Sequence, residues 1–224
     1  MNDCIITIDG PGGAGKGTIA QLIAEKLGWH YLDSGAIYRV LGYLADKNGV
    51  CEDEVEALVE LTQNMPLVFK NGGVWLHGEC LDQVIRSERA GNNASKVAVI
   101  PEVRQALLEW QRNCAKAPGL VADGRDMGSM VFPQAKHKIF LTASAEQRAR
   151  RRFKQLKDKG FNANIRRLLS EIVERDQRDM TRKSSPLVAA RDAIHLDSTC
   201  LTIEQVVDRV LSIVENEPLQ VVED

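Results

Sequence analysis

The sequence predicts an α/β fold in which a parallel sheet of five strands is flanked by helices. Three observations lead there. Short apolar runs alternate with stretches of helical periodicity along the 224 residues. A glycine-rich loop stands between the first apolar run and the first helix. Strands that alternate with helices need crossover connections, and these favour a parallel sheet covered on both faces.

The elements follow in order. Cys4 to Ile8 is the first strand, and Ile19, Leu22, Ile23 and Leu27 mark the helix after the glycines. Trp29 to Leu32 is the second strand, after which Ser34 can cap a helix carrying Ile37, Val40, Leu41 and Leu44. From Glu52 to about Arg86 the alternation breaks. A short helix through Val55, Leu58, Val59 and Leu61 precedes Pro66 to Phe69, Asn71-Gly72-Gly73 and Val74 to Leu76, which read as an inserted helix and hairpin. Helices over Glu88 to Val99 and Glu102 to Lys116 are separated by Pro101. The third strand is Leu120 to Ala122, the fourth Lys138 to Leu141 and the fifth Ile194 to Leu196. Helices cover Ala145 to Lys157, Ile165 to Thr181 and Ile203 to Val214, and the acidic end from Glu215 to Asp224 is expected to fray. The chain is therefore one domain, residues 1–224, with a core of 1–51 and 87–224 around an insertion at about 52–86.

With 44% hydrophobic and 27% charged residues, the composition is that of a globular protein with a sizeable core. A net charge of −2 provides no general field for nucleic acid or an anionic membrane. No run reaches the roughly 20 apolar residues of a membrane span, and Met1-Asn2-Asp3 lacks the basic start of a secretory signal, so a cytoplasmic location is expected. The five cysteines are scattered without a C-x-x-C pair, which reads as reduced thiols. The four histidines pair with no cysteine or carboxylate at ligand spacing, so no zinc site is expected.

Gly10-Pro11-Gly12-Gly13-Ala14-Gly15-Lys16-Gly17-Thr18 carries the first functional signal. Its glycines let backbone amides converge on phosphate oxygens, the helix N-terminus adds positive potential, and Lys16 can reach the β and γ phosphates. That reading makes the chain a P-loop NTPase fold. Gly17 stands where the strict pattern has Ser or Thr, a variant that resembles nucleotide kinases of the adenylate kinase kind. Gly10, Gly12 and Gly15 also satisfy G-x-G-x-x-G, with Asp33 near the position of a ribose-binding acid, so a dinucleotide fold competes. Lys16, immediately after the last of those glycines, favours the phosphate clamp.

A kinase also has to hold its acceptor phosphate, and arginine's planar fork suits that work. Asp33-Ser34-Gly35-Ala36-Ile37-Tyr38-Arg39 offers a hydroxyl, helix amides and a guanidinium, although a capped helix with a surface arginine fits the spacing equally. Asp123-Gly124-Arg125-Asp126 follows a strand at the end where ligands bind; Asp123 is placed to act on a magnesium-bound water, and a polar turn is the plain alternative. In the helix after Asn164, Ile165, Leu168 and Ile172 recur at core spacing, and the same face continues as Arg175, Asp179 and Arg182. Such a face either opens onto a cleft or holds buried ion pairs. From Arg148 to Lys159 seven cations, among them Arg148, Arg151 and Arg152, stand against the single acid Asp158. A mobile basic lid over ATP phosphates, at about 148–160, and a solvated helix face are both compatible with that run. On these residues alone, a P-loop kinase for another small acceptor and a nucleotide-operated binding protein remain open.

Four segments together resemble the bacterial cytidylate kinases across nearly the whole chain. They are Ile8 to Thr18, Leu32 to Arg39, Asp123-Gly124-Arg125-Asp126-Met127-Gly128, and Glu174-Arg175-Asp176 with Asp179 and Arg182. The resemblance implies ATP-dependent phosphorylation of CMP and dCMP, magnesium, a nucleotide-binding insertion at 52–86 and a monomer. It further implies that Ser34, Arg39 and Arg125 surround the acceptor phosphate, that Ser95, Arg104 and Asp126 read the cytosine, and that Asp179 meets the sugar hydroxyls. Arg175 and Arg182 bridge to the transferred phosphoryl, and Thr18 joins Asp123 at the metal. Cytosine presents a donor at its amine and acceptors on its ring, which Asp126 and Arg104 complement. Uracil would set a carbonyl against Asp126 and leave that carboxylate unpaired.

Overall fold

A computed structural model describes residues 4–70, 73–158, 160 and 162–216. The expected Asn71-Gly72 turn, Lys159 of the basic run and residues 217–224 of the acidic end lie outside the described residues. The chain gathers into two compact units, one of residues 1–32, 114–181 and 185–224, the other of 33–113 and 182–184.

The first unit is built on a five-stranded sheet. Its strands are β1 (Ile5–Asp9), β2 (His30–Asp33), β6 (Leu120–Gly124), β7 (His137–Thr142) and β8 (Ile194–Asp197), in the order β2-β6-β1-β7-β8. β1 pairs in parallel with β6 on one side and β7 on the other, and β7 pairs in parallel with β8. Every residue of β1 is buried, which accounts for its nearly continuous apolar sequence. Ile6, Ile8, Val121, Ile139 and Leu141 from the strands pack with Ile19 and Ile23 of α1 (Lys16–Leu27) and Val206, Val207 and Val210 of α9 (Ile203–Asn216) in one core. Since β1 connects through α1 to β2 while its neighbours are β6 and β7, the glycine loop emerges at the carboxyl end of the central strand, where the chain's crossovers diverge. Two further helices, α7 (Ala145–Asp158) and α8 (Ile165–Thr181), pack against each other.

The second unit contains α2 (Ser34–Asn48), α3 (Val55–Gln63), α4 (Asp82–Ile85), α5 (Glu88–Val97) and α6 (Pro101–Arg112). α2 lies on α5 and α3 on α6, and Ile37, Leu41, Leu58, Ile85 and Leu107 are fully enclosed. The expected hairpin is a three-stranded antiparallel sheet of β3 (Leu67–Lys70), β4 (Gly73–Leu76) and β5 (Glu79–Cys80). The additional strand comes from His77-Gly78, which take φ of 49° and 84° and turn the chain so that Trp75 faces Cys80 and Leu76 faces Glu79. Segment 52–86 thus forms one part of a larger compact unit.

One expectation about capping is corrected. Asp33, not Ser34, caps α2, its Oδ1 accepting the Ala36 amide at 2.9 Å. Ser34 is already inside the helix, where its hydroxyl turns inward.

Candidate active site

In the first unit the glycine loop leads into α1 with Gly15 at its cap, so no side chain occupies the first amides of that helix. Lys16 is only 5% exposed. Its Nζ donates to the Pro11 carbonyl at 3.1 Å and stands 3.6 Å from Asp123 Oδ1. Burial, and then the neighbouring Arg125, lower its pKa to about 8, against the pull of Asp123 and Asp9. A buried ammonium whose charge is disfavoured in this way stands in an environment that an added anion would relieve.

Asp123, the penultimate residue of β6, is a buried carboxylate. A Cβ at Gly17 would lie 3.2 Å from Asp123 Oδ2, so the glycine that departs from the strict P-loop pattern is the residue that lets this acid close on the start of α1. Thr18 follows, exposed, in the first turn of α1.

Two arginines reach the open side of the loop. Atoms of Arg125 and Arg175 lie 3.3 and 3.6 Å from where a Cβ on Gly12 would stand. Arg125 donates through Nε to Asp179 Oδ2 at 2.9 Å. Burial works against its charge, but Asp179, Asp123 and Asp176 outweigh it and hold the guanidinium more firmly protonated than usual. Asp126, the residue after Arg125, is buried as well.

The basic run begins with side chains that are engaged. Arg148 is buried, chelates Asp176 at 3.0 and 2.5 Å, and donates to the carbonyls of Gly12 at 2.9 Å and Ala143 at 3.0 Å. Arg151 donates to the Ala14 carbonyl at 3.2 Å, to the Ser198 hydroxyl at 3.2 Å and to the Ser198 carbonyl at 2.6 Å. Both hold the glycine loop through its carbonyl oxygens. Arg152, half-buried, has its Nη1 3.5 Å from Gln155 Oε1.

The face expected on α8 is right in direction, with Leu168 buried and Ile172 half-buried, and wrong at Ile165. Ile165 is 40% exposed, and Leu168, Asp176 and Asp179 are the buried positions. Two acids, each matched to an arginine, extend the buried stripe begun by Leu168, while Ile165 lies in the first turn, outside the packed zone.

In the second unit the Ser34 hydroxyl donates to Gln111 Oε1 at 3.0 Å, and Gln111 Nε2 in turn donates to the Leu107 carbonyl. Arg39 places Nη1 on the carbonyls of Ile85 at 2.6 Å and Ser87 at 3.1 Å. Arg104 lies over the Tyr38 ring, 5.5 Å from its centroid, and donates to the Ala98 carbonyl. Ser95 is buried on α5 and Arg182 is buried beyond the end of α8.

Sequence reasoning overlooked three participants. Asp9 and Asp176 were visible as acids at a strand end and inside the Glu174-Arg175-Asp176 segment. Gln111 carried no signal, because a glutamine in a helix gives no sign that it is enclosed.

The family model described as Cytidylate kinase matches residues 6–216. The chain is 55% identical over 217 residues to the cytidylate kinase of Aeromonas salmonicida (strain A449), covering 95% of this chain and 94% of that one. It is 54% identical over 213 residues to the cytidylate kinase of Marinomonas sp. (strain MWYL1), covering 93% and 94%. The cytidylate kinase of Colwellia psychrerythraea shares 51% over 212 residues, covering 92% and 94%.

Proposed function

The chain belongs to the cytidylate kinase family and is a nucleoside monophosphate kinase, and we propose that it moves the γ-phosphoryl group of ATP onto CMP or dCMP by direct in-line transfer. The observation that carries this reading is Lys16, a buried cation beside Arg125 and Arg175 in a glycine loop whose helix is capped by bare backbone. A polyphosphate is an anion whose oxygens suit both these cations and the bare amides of the helix start.

In this reading Gly10, Pro11, Gly12, Gly13, Ala14, Gly15, Lys16, Gly17 and Thr18 bind ATP. An oxygen of the acceptor phosphate attacks the γ phosphorus as the bond to the ADP oxygen breaks, so ADP leaves with that electron pair and no protein group is phosphorylated. Lys16, Arg125, Arg175 and Arg182 counter the charge on the transferring group. Ser34, Arg39 and Arg125 hold the acceptor phosphate, Ser95, Arg104 and Asp126 read cytosine, and Asp179 takes the sugar hydroxyls. Segment 52–86 is the nucleotide-binding insertion. Residues 148–160 are the lid, with Arg148 and Arg151 at its root and Arg152 towards its moving part.

Magnesium enters with ATP. Among the described residues no group of three or more His, Cys, Asp or Glu could cage a metal. The Thr18 hydroxyl and the Asp123 carboxylate acting through water are hard oxygen donors that suit an ion keeping its own waters and phosphate oxygens. Held there, the ion would supply charge neutralisation to the phosphates of the bound nucleotide.

No helix among the described residues is long and apolar enough to cross a membrane. A net charge of −2 accords with a protein without nucleic-acid partners, and the reading as a cytoplasmic monomer rests on the family resemblance.

Consumption of ATP with magnesium, measured with CMP, dCMP, UMP, AMP and GMP in turn, tests the reading. Rapid turnover with CMP and dCMP, weak turnover with UMP and none with the purines is expected. Turnover confined to another acceptor would overturn the cytosine assignments, and a trapped phosphoenzyme would overturn direct transfer.

A further inference from the structure

Asp9 has no role in the chemistry above, yet it is one of the most elaborately held side chains in the first unit. It closes β1 and is almost wholly enclosed. Its Oδ1 accepts the Met127 amide and its Oδ2 the Gly128 amide, each at 2.8 Å. Those amides belong to a π-helical turn, Met127–Val131, that begins directly after Arg125 and Asp126. The same backbone is pressed against β1 by contact. A Cβ on Gly128 would stand 2.8 Å from Thr7 Oγ1 and 3.2 Å from the Lys138 side chain, which only glycine avoids.

Such an arrangement is costly for packing alone. Burial raises the Asp9 pKa to about 7; the amides of Gly128 and Met127 oppose the rise, Asp126 adds to it and Lys16 opposes it. An apolar residue would avoid the cost of the buried charge but would leave the two amides without acceptors. What a carboxylate adds is direction, because two amides converging on two oxygens fix the position and the rotation of the turn together.

We propose that Asp9 is a positioning residue of the acceptor site, setting through the Met127 and Gly128 amides where Arg125 presents its guanidinium and Asp126 its carboxylate. The inference rests on the reading of Arg125 and Asp126 as CMP-binding residues. A merely structural Asp9 would affect melting temperature and leave the two substrates' constants unchanged or shift them together.

The test is steady-state kinetics of Asp9→Asn, which keeps the shape but turns an NH₂ group against one of the two amides. KM for CMP is expected to rise about 10-fold or more, with KM for ATP held within about twofold. Gly128→Ala, which strains the same anchor from the other side, should show the same split. Equal rises for both substrates, or no change in either, would overturn the proposal. Asp126→Asn separates the premise from the inference. If it raises KM for CMP while Asp9→Asn and Gly128→Ala do not, the positioning role fails and the site reading stands. If Asp126→Asn has no effect on CMP, both fail. Should the variants not fold, hydrogen exchange in the wild-type chain decides: CMP should slow exchange at the Met127 and Gly128 amides, and unchanged exchange would overturn the role.

Discussion

Arg125 and Asp179, 54 positions apart in sequence, meet at 2.9 Å with both side chains withdrawn from water. The pair joins the turn after β6 to α8, and it uses a carboxylate that the acceptor's sugar is proposed to need. The arginine is therefore already held in place when substrate arrives.

Removing the acid exposes what the pair does. Asp179→Ala leaves the half-buried Arg125 without its main counter-charge, and the loss should approach the roughly 3 kcal/mol at the low end for breaking a buried pair. Urea denaturation should report that loss, and KM for CMP should rise while KM for ATP changes little.

Lys16 gives the opposite balance of stability and activity. Lys16→Met removes a buried cation that burial and Arg125 disfavour but also takes a counter-charge from Asp123, 3.6 Å away, and because the two effects oppose each other the melting temperature should change little. The same variant should lose about 10²–10³-fold or more in kcat, the scale of one lost charge-stabilising donor. A large loss of stability would show that Lys16 supports the fold.

The pKa of Lys16, about 8 against an ordinary 10.5, predicts a pH dependence with a definite sign. Between those values the unfolded chain binds the extra proton, so this group's penalty is full below about pH 8 and is relieved as pH rises towards 10.5. Denaturation of wild type and Lys16→Met at pH 7.5 and 9.5 should show wild type gaining on the variant. In the free enzyme, ATP affinity should fall as pH rises through about 8.

Asp9 titrates the other way. With a pKa of about 7 against 3.8, the folded chain binds the additional proton between those values, so its contribution to stability falls as pH rises from about 4 to 7. Asp9→Asn should flatten that slope in urea titrations, and an unchanged slope would assign it to other groups.

Arg148 and Asp176 form a second buried pair that also holds the Gly12 carbonyl. Asp176→Ala is expected to cost about 3–5 kcal/mol and to raise KM for ATP more than KM for CMP. Asp176→Leu with Arg148→Met should recover much of the stability and little of the ATP affinity, because the carbonyl stays unheld.

Much of the frame was legible because its signals are local. Apolar runs became strands, wholly buried at β1 and β6, Ile165–Thr181 appeared as a helix with those bounds, and the glycine loop fell between β1 and α1. Where the reading missed, the deciding contact was one that no local pattern expresses. The third strand of the small sheet depends on the conformation of His77-Gly78, and the cap of α2 moved from Ser34 to Asp33 because the Ser34 hydroxyl is consumed by Gln111. Ile165 kept helical spacing without burial, since periodicity defines a face but not how far a neighbour covers it.

By itself the sequence determined the order of strands and helices, the phosphate-binding loop and the residue types gathered at the strand ends, because each is set by neighbours within a few positions. Only the tertiary structure decided which acid serves which donor: Asp179 with Arg125, Asp176 with Arg148, and Asp9 with the Met127 and Gly128 amides. Those choices follow from burial. In water any carboxylate could answer any arginine at little gain, whereas inside the fold a charge must find its partner where packing has brought one.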